Sequence, residues 1–318
     1  MLRVPAVFRS LSTRSVAAHR ALLRDQDHQA VEYMRSKRFV DGLAKAADLG
    51  QLQAALAGCD QAAIEPKHVS LVAYKIGQLH QQRFEVENDA LKPIALSLID
   101  KNLYTFSVPS IASLLMSLKN WRWAYPKEWP EKLSKRLFDQ PRLAYKTLSR
   151  AVPVLADLGI NNDATWKNVT TLIERQLPYL DQLSVAQCLY GVSRAKQGDQ
   201  KFYEQVIKYL EPRALSLDPS VLSRIALSLS KVASRASDLT SLFDKMSEQV
   251  LRQLPMYKET ELKMVVSAFT AVTPGNTKLF NAIADQVVHH PENYQNVTAQ
   301  IKRCFKQVKL QHDGLFQL

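Results

Sequence analysis

The chain has 318 residues, 46% of them hydrophobic, and a formal charge of +12. Its 9 glycines fall well below the usual share of about 7%, which excludes collagen-like and glycine-rich nucleotide-binding architectures, while the apolar content excludes disorder. No apolar run approaches the roughly 20 residues of a membrane helix, and Cys59, Cys188 and Cys304 lie too far apart for a zinc-ribbon spacing or a local disulfide framework.

Residues 1–24 hold Arg3, Arg9, Arg14, Arg20 and Arg24, four hydroxyl residues and no acid. That is the composition of a mitochondrial presequence, and the apolar core of a secretory signal is missing. The remainder, residues 25–318, carries +7, from 37 basic and 30 acidic residues. Residues 25–63 read as capping helices. Ala30, Met34, Phe39, Val40 and Leu43 precede Leu49, Leu52 and Leu56, one helix pair covering the N-terminal end of a repeat array.

From residue 64 the pattern repeats. Apolar residues fall 5, 8, 9 and 12 positions after Ile64, Phe106, Leu143, Leu183, Leu217 and Tyr257. The first frame gives Val69, Val72, Ala73 and Ile76, and the frame from Leu183 gives Cys188, Gly191, Val192 and Ala195. This is one face of a helix, at i, i+3, i+4 and i+7. A second helix follows each first one, opened by Leu91, Trp129, Trp166, Phe202, Phe243 or Phe280, at intervals of 38, 37, 36, 41 and 37 residues. Trp166, Thr170, Ile173 and Leu177 form one such face, and Phe280, Ala284 and Val288 another. Pro66, Pro109 and Pro219 sit where a first helix begins, with Asp218 as an N-cap. Turns are read at Leu158-Gly159 and Lys196-Gln197-Gly198. A seventh unit is degenerate, with Ile301, Phe305 and Val308 facing inward and a stub at residues 314–318. No six-residue stretch alternates as a strand does. Two helices per unit at a fixed period predict an all-α fold, an α-solenoid of about seven helix hairpins of about 38 residues spanning 64–318, with a degenerate C-terminal cap.

The period, the paired helices, the presequence and the basic remainder together resemble organellar helical-repeat proteins over about residues 64–310. The resemblance is to the pentatricopeptide-like families of longer period: octotricopeptide, heptatricopeptide and FAST-kinase-type repeats. It implies binding of organellar RNA in processing, editing, stability or ribosome assembly. ARM/HEAT-type scaffolds share the period, and they imply a protein-binding subunit of a matrix assembly such as a mitoribosome or respiratory complex.

No catalytic motif is present, so the expectation is a non-enzyme with no cofactor, no metal and no small-molecule substrate. His289 and His290 are adjacent and point to different helix faces. Cys188 falls at a core position, and Cys304 stands among Lys302, Arg303 and Lys306. Asn168 and Asn296 begin glycosylation-acceptor patterns that a matrix protein would not use.

Three basic features remain. Lys302, Arg303, Lys306 and Lys309 place four cations in eight residues, with Lys302, Lys306 and Lys309 at i, i+4 and i+7. They offer phosphate contacts or simply solvate an end cap. Trp121, Trp123 and Tyr125 interleave with Arg122 between Lys119 and Lys127, as a base-stacking platform or as a packed turn. Lys67, Lys75, Lys146, Arg150, Arg194, Arg224 and Lys231 lie at non-core positions of the first helices and would line one surface of a solenoid, interrupted by Glu259 and Glu261. The expected partner is single-stranded mitochondrial RNA in the matrix, or protein subunits of a matrix ribonucleoprotein complex. Met116, Leu227 and Met264 outside the core positions favour the protein partner. The C-terminal cations are expected to contribute more to RNA affinity than the Trp121 region.

Overall fold

In a computed structural model, residues 37–59, 64–82, 90–235 and 239–318 are described. The presequence reading, Ala30 and Met34 lie outside them. Every regular element among the described residues is helical.

Contacts divide the chain into two units: the residues up to Ser107 together with Asn120–Trp123, and Val108–Lys119 together with Ala124–Leu318. The first unit contains α1 (residues 37–45), α2 (Leu49–Ala57), α3 (Pro66–Gln81) and α4 (Leu91–Asn102). The pair α3/α4, which the sequence pattern joins to the repeats, thus groups with the N-terminal pair. Phe39, Leu43, Leu49, Leu52 and Leu56 are buried as expected, as are Val69, Val72, Ala73 and Ile76.

The second unit is a stack of helix hairpins. They are α5/α6 (Val108–Leu118, Glu128–Phe138), α7/α8 (Tyr145–Asp157, Asp163–Gln176), α9/α10 (Gln182–Arg194, Gln200–Leu210), α11/α12 (Pro219–Ser230, Thr240–Gln253), α13/α14 (Glu259–Val272, Thr277–His289) and α15/α16 (Thr298–Gln307, Asp313–Gln317). First helices pack on first helices, from α5 through α15, and second helices form a parallel layer, with the link from α10 to α12 made by the 3-10 turn Glu211–Ser216. This is the α-solenoid that the periodicity implies.

Proline sets the rhythm. Pro178, Pro212 and Pro255 sit in 3-10 turns directly after α8, α10 and α12, where a residue lacking an N–H cannot extend the helix. Each turn delivers one buried, extended residue before the next first helix: Leu180, Leu217 and Tyr257. Phe106, Leu143 and Tyr294 occupy the same place and are also buried. Four of these anchors have their carbonyl bound by a side chain. Gln176 Nε2 donates to Leu143 at 2.7 Å, the Tyr209 hydroxyl to Leu180 at 3.1 Å, Gln249 Nε2 to Leu217 at 3.1 Å, and the Tyr294 hydroxyl to Tyr257 at 3.1 Å. Each of these anchors has its carbonyl satisfied; the side chains of Leu143, Leu180 and Leu217 are wholly apolar, whereas the Tyr257 hydroxyl is buried without a hydrogen-bond partner.

The anchors correct one frame. The third of these units begins at Leu180, not Leu183. Its inward residues are Val185, Cys188, Leu189 and Val192, each at most 1% exposed, whereas Leu183 is 49% exposed and Ala195 is half-buried. A shift of three leaves most residues on the same helical face, so the displaced frame still matches the pattern. Smaller corrections are of a residue or so. Val169 is buried where the pattern places Thr170, Val287 is buried beside a half-buried Val288, and Val308 is half-buried beyond the end of α15, with Cys304 joining Ile301 and Phe305 inside.

Bulky residues opening the second helices fill the space between layers. Trp129, Trp166, Phe202, Phe243 and Phe280 are each at most 2% exposed. The Trp166 indole donates to Ile160 O at 2.7 Å, closing the α7–α8 turn that Gly159 makes at φ +71°. First helices approach closely through small residues. Ser117, Gly191, Ser228 and Ala268 are buried at equivalent positions, and Ser117 and Ser228 return their hydroxyls to the helix carbonyls of Ser113 and Arg224 at 2.7 Å. A Cβ at Gly191 would lie 2.7 Å from the backbone C and O of Val152, so α9 meets the α7 backbone there.

Candidate nucleic-acid interface

Within the second unit, each first helix keeps an outward stripe spaced i, i+3, i+7. On α7 it is Arg150, Pro153 and Asp157; on α9 it is Gln187, Tyr190 and Arg194; on α11 it is Arg224, Leu227 and Lys231 just past the helix end. These residues are half-buried or exposed. Contacts tie the stripes together across the stack. Asp157 pairs with Lys119, at the end of α5, and with Arg194 Nε at 3.1 Å. Arg194 Nη1 donates to the Tyr190 hydroxyl at 2.6 Å. The Arg194 guanidinium lies 5.8 Å, and the Lys231 ammonium 6.0 Å, from the centroid of the Tyr190 ring. A connected run of charged and aromatic side chains therefore crosses four neighbouring first helices.

The charge on this layer is lopsided. Helices α5, α7, α9 and α11 carry Lys146, Arg150, Arg194 and Arg224 against one carboxylate, Asp157; Lys119 and Lys231 directly follow α5 and α11, and Asp181 and Asp218 cap α9 and α11 at their other ends. The second helices α6, α8, α10 and α12 mix nine cations with seven acids. The second helices carry both signs interspersed, as helix solubility asks, whereas the first helices carry almost no acid along their length. Lys146 and Arg150 are exposed, with the Lys146 ammonium 5.9 Å from the Tyr145 ring. At α13 the positive run stops, because Glu259 and Glu261 open that helix.

The other predicted groups separate from this surface. Trp121 is 8% exposed and its indole donates to Ala73 O at 2.9 Å. It stands edge-on to Trp123 at 5.8 Å, so it is packed within the first unit and offers no face to a base, which corrects its assignment as a stacking residue. Arg122 is exposed, but its backbone N–H is held by His80 Nδ1 at 3.1 Å. The C-terminal cations do not share one face. Helix α15 ends at Gln307, and Lys309 turns away with φ +57°; Lys302 is half-buried, and Arg303 and Lys306 are exposed. Lys306 lies 6.0 Å from the Phe316 ring of α16. Of Lys67 and Lys75 on α3, the first pairs with Glu65 at 2.8 Å and the second donates to Ala44 O at 3.1 Å.

Tyr190 is a contributor that residue-type reasoning passes over, and Lys119 one that it groups with the Trp121 turn instead. The signal available for Tyr190 is its position, four residues before Arg194 on a helix without an acid. Among the described residues no group of three or more His, Cys, Asp or Glu could hold a metal ion, and no helix is long and apolar enough to cross a membrane. Cys188 is fully enclosed, and burial drives its thiol far above the ordinary range, so it is held as a neutral thiol.

Among the described residues the first unit holds two buried histidines, both hydrogen-bond acceptors through Nδ1. His68 Nδ1 accepts the Glu65 N–H at 3.2 Å, and its ring stands edge-on to Phe39 at 5.5 Å. His80 stands edge-on to Trp123 at 4.9 Å. Burial lowers both from the ordinary 6.5; Arg122 adds to this at His80, while at His68 Glu65 opposes it and Lys67 adds to it. The unfolded chain therefore takes up protons that the folded chain refuses. The stability from these two groups is complete above the ordinary histidine value and declines as pH falls through it. Denaturant unfolding followed at pH about 7.5 and about 5.5 is expected to show a lower midpoint in acid, and His68→Asn/His80→Asn to flatten that difference.

Comparison with known protein families and with characterised proteins returns no match, so the reading of this surface rests on its own chemistry.

Proposed function

We propose that the protein is a non-catalytic RNA-binding subunit of the mitochondrial matrix, acting in RNA processing, editing or stability, with the first-helix layer of the second unit as its binding surface. The observation that carries this is the charge asymmetry: four cations and one carboxylate within α5, α7, α9 and α11, with Lys119 and Lys231 at the C-terminal ends and the capping Asp181 and Asp218 at the N-terminal ends, against nine cations and seven acids within α6, α8, α10 and α12. Phosphate contacts of this kind position an extended polyanion without reading its sequence. The composition of residues 1–24 and the resemblance in period to organellar RNA-binding repeats support the compartment and the ligand class. Fluorescence anisotropy of a labelled single-stranded RNA, titrated with the protein at low and at moderate salt, tests it. Salt-sensitive binding is expected, and no binding at low salt removes the proposal.

A protein-scaffold role is favoured by a different observation. The turns between repeats expose Tyr179 at 78%, Leu215 at 40% and Met256 at 66%, with Leu183 in the first turn of α9 at 49%. Exposed apolar residues recurring along one stack suit protein contacts. Partners that survive RNase treatment during purification from mitochondria would favour this role.

A further inference from the structure

The cations alone would suit any polyanion: an acidic peptide, polyphosphate, a duplex or a single strand. The residues between them narrow the choice. Met116, Pro153, Tyr190 and Leu227 occupy the middle position of successive outward stripes on α5, α7, α9 and α11, and all four are half-buried. They form an apolar file. Arg150 and Arg224 lie one helical turn before it, and Arg194 and Lys231 one turn after it. A duplex buries its bases and has no use for such a file. An acidic peptide needs no ring in its middle.

Resting on the RNA-binding reading, we infer that this surface takes an unpaired strand with its bases turned onto the apolar file, and that Tyr190 is the stacking residue. Its ring is the one aromatic side chain in the file. Arg194 grips its hydroxyl at 2.6 Å, which fixes the ring's orientation, and Lys231 lies 6.0 Å from its centroid. An aromatic face flanked by cations is the arrangement that holds single strands, since every base has a π-face and every linkage a phosphate. Arg194 is in turn held by Asp157, so the one carboxylate within α5, α7, α9 and α11 positions the cation that positions the ring. Asp157 is thereby a part of the site and not an interruption in it.

The test uses the full chain and three probes: a 12-nucleotide single-stranded RNA, the same length of abasic ribose-phosphate oligomer, and a duplex. Tyr190→Leu is expected to weaken binding of the single strand about ten-fold or more. It should leave the abasic oligomer and the salt slope unchanged, because no phosphate contact is lost. Tyr190→Phe, which keeps the ring, should retain most of the single-strand affinity. Circular dichroism of both variants checks the fold. The inference is overturned if Tyr190→Leu leaves single-strand affinity intact, if it weakens the abasic oligomer equally, or if the wild-type protein prefers the duplex. Those outcomes leave the RNA-binding reading standing. Loss of that reading shows differently, as wild-type protein binding neither the RNA nor the abasic oligomer, and it removes both.

Discussion

Replacing Arg150, Arg194, Arg224 and Lys231 with glutamine is expected to flatten the dependence of RNA affinity on salt. Each lost phosphate contact on a single strand removes about 0.7 from the slope of log affinity against log salt, so the four together should remove about 3. Three of these side chains are exposed and Arg224 is half-buried, so the fold should persist. Asp157 keeps Lys119 as a partner when Arg194 is gone. The matched control is Lys132, Lys135, Lys167 and Lys208, which are exposed on α6, α8 and α10. Their replacement by glutamine removes the same net charge from the opposite layer. If the anion lies on the first helices, the control set shifts the slope by less than a single contact's share. Equal shifts from the two sets would mean that the protein attracts RNA by net charge alone.

The second large effect is expected at Gly191. Alanine there places a Cβ 2.7 Å from backbone atoms of Val152, and backbone cannot rotate aside as a side chain can. Overpacking of this kind typically costs about 1–3 kcal/mol. Denaturant unfolding should show Gly191→Ala near the middle of that range. Adding Val152→Ala removes the clash with Cγ1 but not those with C and O, so the double variant should recover little. Ser228→Ala, at the equivalent position of α11, loses only a bond to its own helix and should stay within about 1 kcal/mol. Recovery by the double variant would show that α7 and α9 have room to separate.

The repeat itself is legible because a buried helix face leaves a strong imprint: Ile111, Leu114, Leu115 and Leu118 recur as Leu222, Ile225, Ala226 and Leu229, and all are buried. The frame of α9 is not legible from that face alone, since shifts of three or four residues preserve it. The prolines after α8, α10 and α12 fix it, because they mark where a helix must stop and so where the next anchor falls. For the candidate site, residue type identifies Arg150, Arg194, Arg224 and Lys231, but adjacency across helices is beyond its reach. The link from Lys119 through Asp157 to Arg194 joins residues 38 and 37 apart, and only stacking brings them together. Trp121 misleads for the opposite reason. A tryptophan in a cation-rich turn looks the same in sequence whether its ring faces solvent or, as here, bonds inward to Ala73. Lys309 misleads because helical spacing does not hold beyond Gln307, where the helix has ended.

The buried anchors Phe106, Leu143, Leu180 and Leu217 stand 37 residues apart, three times over. Equal rungs let a whole segment be lost or gained without changing the register of the anchors. Removing residues 144–180 would join Leu143 to Asp181, restoring an anchor followed by an N-cap, with α9 now resting on α5. Duplicating the same stretch would add one rung. If the first-helix layer holds a strand as proposed, the length held would follow the number of segments, and whole-segment gain or loss would lengthen or shorten it while keeping the register of the stack.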